Sequence, residues 1–141
     1  MIVRTARVGW APNSSGGGGT IHPESDSFTA TYSLNSRFES APGTNAEELL
    51  AAAHASCFSL ALAGSLTRAG HPPTSLDTIA AVHMDKVDGG FQIARIDLTV
   101  VGDVPGIGEP DFLQHARDMK VHCPISKALK AVDIFLEAKL A

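Results

Sequence analysis

The sequence predicts an α+β fold, with antiparallel strands set around one long central helix in a single domain over residues 1–141. Three observations carry this. Segments 27–33, 77–87 and 91–101 have the composition and alternation of strands. A long Ala- and Leu-rich stretch at 45–69 is bounded by helix start and stop signals. The order is strands, helix, strands, helices, with no repeat and no linker, which is the α+β arrangement rather than alternating βαβ units. A chain of 141 residues that is 44% apolar supports one domain with a substantial core.

Residues 1–9 read as a first strand, with Ile2 and Val3 early in it. Pro12, Asn13 and Ser14 to Gly19 read as an irregular loop whose four glycines form a flexible tip. No Gly-Lys-Ser/Thr follows them, so a phosphate-binding loop is not indicated. After the 27–33 strand, Ser-Arg-Phe-Glu-Ser-Ala-Pro-Gly reads as a loop ending at Thr44. Thr44-Asn45-Ala46-Glu47 fits a capping box in which Thr44 caps and Glu47 reaches back. Gly70 and Pro72-Pro73 stop the helix. Asp88-Gly89-Gly90 joins the next two strands as a tight hairpin. Pro110 opens a helix to about Lys120, taking the first helical position. Pro124 starts the last helix with Cys123 at or beside its N-cap, and 131–141 ends as a short strand or helix.

The formal charge of -4 and the absence of any Lys/Arg run argue against nucleic acid or an anionic membrane as a partner. The apolar stretch from Leu49 to Leu66 is about long enough to raise the membrane question. It is mostly Ala and Ser with His54 and Cys57 inside, and a buried helix is the expected reading. The opening residues MIVRTARVGW lack the apolar core of a signal peptide, so a cytoplasmic, reducing location is expected. The two cysteines are then free thiols, serving either as packing residues or as a redox pair.

Cys57 lies mid-helix in His-Ala-Ser-Cys-Phe, where a small core residue is the ordinary expectation. Cys123 differs, because a helix start favours a thiolate and His122 beside it is a potential cation. Glu47 has a capping role available to it. From Glu47 the helix turns back by about 20° to His54 and about 80° to Cys57, so the three share one broad stripe. A polar stripe around a cysteine suits a wet, functional face, although His54 also reads as a satisfied core histidine. His115, His122 and Cys123 make a weak metal set, without C-x-x-C or H-x-x-x-H spacing. A cysteine hydrolase lacks any nucleophile-elbow signature.

Two motifs go further. Gly43-Thr44-Asn45-Ala46-Glu47-Glu48-Leu49-Leu50, followed by Ala53-His54-Ala55-Ser56-Cys57-Phe58-Ser59, resembles the first cysteine motif of the OsmC/Ohr family, the osmotically inducible protein C and organic hydroperoxide resistance proteins. His122-Cys123-Pro124-Ile125-Ser126-Lys127-Ala128-Leu129 resembles the second, at matching spacing. The likeness covers nearly the whole chain, and His-Ala-Ser-Cys-Phe is closer to the OsmC branch.

The resemblance implies a small α+β fold in an intertwined homodimer, and thiol-dependent reduction of organic hydroperoxides. Cys57 matches the peroxidatic thiol and Cys123 the resolving one. Glu47 matches the family glutamate, with Glu48 as the alternative. Arg37, in Ser36-Arg37-Phe38-Glu39, matches the arginine that accompanies the thiolate, with Arg7 as second candidate. An external dithiol must return the disulfide to thiols. No cofactor or metal is expected. Glu47 and Cys57 lie about 15 Å apart along a continuous helix, a long span for Arg and Glu side chains end to end. Sites shared between the two chains of a dimer are therefore expected, against a kinked helix or a fully extended arginine. A non-catalytic or redox-sensing member of the same fold and a cysteine hydrolase remain as rivals.

Overall fold

A three-stranded antiparallel meander opens the chain, in the order β1 (Ala6–Val8), β2 (Gly18–Pro23), β3 (Ala30–Ser33). The computed structural model describes residues 1–141, which divide into two compact units, Met1–Leu49 and Leu50–Ala141.

In the first unit the glycine run is not a loose tip. Asn13 Oδ1 closes the turn by accepting from the Ser15 and Gly17 N–H groups at 2.9 and 3.0 Å. Gly17, at φ +109°, lies against Trp10, whose ring would be 2.5 Å from an added Cβ. Gly18 opens β2, and a Cβ there would stand 2.2 Å from the Tyr32 carbonyl oxygen. Close approach, rather than freedom, is what these glycines provide. β2 itself, Gly-Gly-Thr-Ile-His-Pro, is too short and glycine-rich to show a period in sequence. The first strand is also shorter than expected, since Ile2 and Val3 lie outside it and are exposed.

The segment expected as a loop after β3 begins with one helical turn, α1 (Leu34–Phe38). Ser33 and Ser36 build a reciprocal capping box: Ser36 N–H donates to Ser33 Oγ at 3.0 Å and Ser33 N–H to Ser36 Oγ at 2.8 Å. The central helix α2 (Ala46–Arg68) starts in this unit. Its cap is one residue later than expected. Asn45 Oδ1 accepts from Glu48 N–H at 2.8 Å, while Thr44 Oγ1 donates to Glu48 Oε2 at 2.6 Å. Thr44 is instead held by Thr31, whose carbonyl accepts its N–H at 2.8 Å.

In the second unit α2 buries His54, Phe58, Leu62 and Leu66, a four-residue repeat down one face. By length and composition α2 is also apolar enough to cross a bilayer, but this buried stripe gives it the packing of a core helix. It ends at Gly70, φ +86°, with Gly70 N–H on Thr67 O and His71 N–H on Leu66 O, the Schellman pattern. β4 (Ser75–Val87) and β5 (Gly90–Asp103) form the expected hairpin, Val87 pairing Gly90 around Asp88-Gly89. Ile96, Leu98 and Val100 of β5 face the core in strand alternation. α3 (Glu109–His122) is longer than expected and takes Pro110 at its second position, with Gly108 as N-cap. It adds Phe112 and Ala116 to the core. α4 (Pro124–Ala128) follows at once. The tail is β6 (Asp133–Leu140), paired parallel to β5, so the strands are not all antiparallel. Each large apolar side chain buried here contributes about 1.5–3 kcal/mol.

Candidate active site

Four of the residues singled out by sequence form two pairs, one in each unit. In the first unit α1 carries Arg37 and the first turn of α2 carries Glu47. Asn45 Nδ2 donates to the Ser36 carbonyl at 3.1 Å and Ser36 Oγ to the Thr44 carbonyl at 2.7 Å, which stitches the two helix ends together. Arg37 Nε donates to both Glu47 carboxylate oxygens at 3.1 and 3.2 Å, and its terminal nitrogen donates to Oε1 as well. The hydrogen bond from Arg37 holds Glu47 below the usual carboxylate range, against the opposing effect of burial. The same bond raises Arg37. The guanidinium also lies 5.3 Å from the centre of the Phe38 ring. Glu48 belongs to the helix cap, Arg7 lies on β1 opposite His22, and the ion pair formed is Arg37 with Glu47.

In the second unit the two cysteines meet. Both are free thiols, Cys57 partly exposed and Cys123 buried. Cys57 lies near enough to the Cys123 thiol and the backbone N–H of Ile125 for both to act on its titration. Burial chiefly pushes the Cys57 thiol up; the Ile125 N–H pulls it down, and Cys123 adds to the rise. Cys123 is the N-cap of α4, and its Sγ accepts from Ser126 N–H at 3.3 Å.

Sequence reasoning missed Ser126 and left His54 as a core histidine. Both are buried, and His54 Nε2 lies 2.8 Å from Ser126 Oγ, which lies 3.1 Å from Cys123 Sγ. Burial lowers His54, so its ring is neutral near pH 7. His122 Nδ1 faces the Asp118 carbonyl at 2.7 Å, and His115 Nδ1 faces Ser65 Oγ at 2.8 Å. These histidines and Cys123 form no cluster able to hold a metal ion.

An α+β chain whose two thiols meet where a central helix faces a helix N-cap has the features of a two-cysteine redox fold. Residues 38–137 match the family of OsmC-like proteins, and the chain belongs to that family. It is 44% identical over 140 residues to Peroxiredoxin OsmC of Escherichia coli (strain K12), covering 99% of this chain and 97% of that one. It is 28% identical over 144 residues to the organic hydroperoxide resistance protein OhrB of Bacillus subtilis, covering 99% and 100%. The crystal structure of that OhrB superposes with a TM-score of 0.74 over 96% of this chain and 98% of its own. An OsmC-like protein of Vibrio cholerae, 16% identical, shares the fold with a TM-score of 0.81 over 99% of this chain and 100% of its own.

Proposed function

We propose that this chain is a thiol-dependent peroxidase that reduces organic hydroperoxides to alcohols, with Cys57 attacking and Cys123 resolving. The observation that carries the reading is the meeting of a partly exposed thiol with a buried one across α2 and α4. The names of the relatives, a peroxiredoxin and an organic hydroperoxide resistance protein, support it.

The Cys57 thiolate attacks one peroxide oxygen, the O–O bond breaks, and the alkoxide takes a proton to leave as the alcohol. Cys57 is then a sulfenic acid. Cys123 attacks its sulfur, forming the disulfide and releasing water. An external dithiol exchanges both sulfurs back to thiols. The first step needs a thiolate, and burial works against one at Cys57. A cation must offset this, and Arg37, oriented by Glu47, is the group we assign to that task and to holding the peroxide oxygens. The largely exposed Leu60 on α2 supports a homodimer through this helix. A cytoplasmic location, with its supply of reduced dithiols, suits the cycle.

Consumption of cumene hydroperoxide and of hydrogen peroxide is compared, each with a dithiol present. Turnover that favours the organic peroxide and stops without the dithiol is the expected outcome. A single stoichiometric oxidation without turnover would replace this reading with a redox sensor.

A further inference from the structure

His54 is a wholly buried imidazole that the chemistry above leaves without a task. Its Nε2 is 2.8 Å from Ser126 Oγ, while its Nδ1 has no hydrogen-bond partner. The ring is neutral, so one nitrogen carries the proton. A proton on Nδ1 would leave a buried N–H with no acceptor, which native structures almost never tolerate. A proton on Nε2 leaves only a bare lone pair at Nδ1, the cheaper arrangement. Nε2–H therefore donates to Ser126 Oγ. The hydroxyl proton of Ser126 is then directed at its other neighbour, Cys123 Sγ, 3.1 Å away. Ser126 N–H points to the same sulfur at 3.3 Å. One residue thus aims two donors at Cys123, an environment that suits a thiolate.

We propose that His54 aims the Ser126 hydroxyl at Cys123, and that Ser126 thereby hydrogen-bonds the Cys123 sulfur as it gives up its proton and closes a disulfide with oxidised Cys57. This rests on Cys123 being the resolving thiol. Ser126 touches the reacting sulfur; His54 acts through it, as a positioning residue. In the peroxide cycle the Cys123 thiolate attacks the sulfenic sulfur of Cys57. The S–S bond forms and the S–O bond breaks, and hydroxide leaves with the proton Cys123 gave up, as water. Cys123 is oxidised and the Cys57 sulfur is reduced to the disulfide level. The other titratable thiol on this side of α2 is Cys57 itself, which engages Cys123.

The test needs no peroxide. The reduced chain receives one equivalent of the chromogenic aromatic disulfide dithionitrobenzoate. Cys57, the more exposed thiol, attacks it and releases one coloured aryl thiolate. Cys123 then attacks the mixed disulfide on Cys57 and releases the second. At about pH 6.5, well below an ordinary thiol pKa of about 8.5, Ser126→Ala should slow the second release at least tenfold while the first stays within about threefold. His54→Phe should slow it by a smaller factor, and His54→Gln, whose amide N–H replaces Nε2–H, should restore most of the rate. The gap between wild type and Ser126→Ala should close near pH 9, where roughly most ordinary thiols ionise unaided. Equal second-release rates in wild type, Ser126→Ala and His54→Phe would overturn the relay, as would a slowing that is the same at both pH values. Should Ser126→Ala fold poorly, the contrast between His54→Phe and His54→Gln decides the question. Either result stands apart from the peroxidase reading, which the peroxide assay tests separately.

Discussion

Arg37 and Glu47, one on a single helical turn and one at the start of the central helix, are joined by three hydrogen bonds. The carboxylate fixes the guanidinium's plane, which leaves the cation oriented rather than free to follow solvent. Arg37→Ala should move the Cys57 titration upward, followed by thiolate ultraviolet absorbance, and slow peroxide reduction roughly tenfold or more, since one pKa unit is about a factor of ten. An unchanged titration would move the assignment to Arg7 or another cation.

The same pair has a pH signature. Glu47 titrates below its unfolded value because of Arg37, so its stabilisation is present above about pH 4.3 and fades as pH falls through the lowered folded value. The Arg37 side chain is 39% exposed, so solvent reaches the pair from the arginine's side and limits its worth. Glu47→Gln should cost no more than about 1 kcal/mol in urea unfolding near neutral pH, and nothing in strong acid. A larger penalty that persists in acid would mean that Glu47 packs rather than pairs.

The two cysteines should behave unequally. Cys57→Ser should abolish peroxide reduction and any sulfenic acid trapped by a dimedone-type probe. Cys123→Ser should still form sulfenic acid and let it accumulate. Trapping that disappears in Cys123→Ser would reverse the two roles.

Oxidation by one equivalent of peroxide should leave monomer-sized bands on a non-reducing gel, because Cys57 and Cys123 meet within one chain. A covalent dimer as the main product would contradict an intrachain step.

Glu47→Ala and Cys57→Ser, each inactive alone, should regain activity when refolded together, each mixed dimer approaching that of one wild-type site, if each site draws on both chains of a dimer. Mixed dimers verified by mass spectrometry and still inactive would place all the residues of a site on one chain.

Much of the fold was legible because its signals are local. The hairpin at Asp88-Gly89 and the stop at Gly70 each depend on residues next to one another. The cap of α2 was misplaced by one residue because Thr44 and Asn45 both cap well and both Glu47 and Glu48 follow. α1 was missed although Ser33 and Ser36 have capping-box spacing, since Ser in place of Glu or Gln is a weak mark. β6 was ambiguous because Phe135 sits on its exposed side and breaks the apolar–polar alternation. The cysteines and the Arg37–Glu47 pair came from motif resemblance. The His54–Ser126 contact had no signal to read: two ordinary residues, far apart in sequence, become partners only when α4 folds onto α2.

The parallel pairing of β5 with β6 forces the chain between them to cross from one end of the sheet to the other, and Cys123 rides on that crossover at the joint of α3 and α4. A bond from Cys57 to Cys123 would therefore rivet the crossover to the central helix and enclose a ring of about 65 residues, removing roughly 4 kcal/mol worth of denatured-chain freedom. The spent chain would then be the tougher one, slower to melt and to be digested. Reduction would restore reactivity and softness together, so durability would itself report how much of the population awaits recharging.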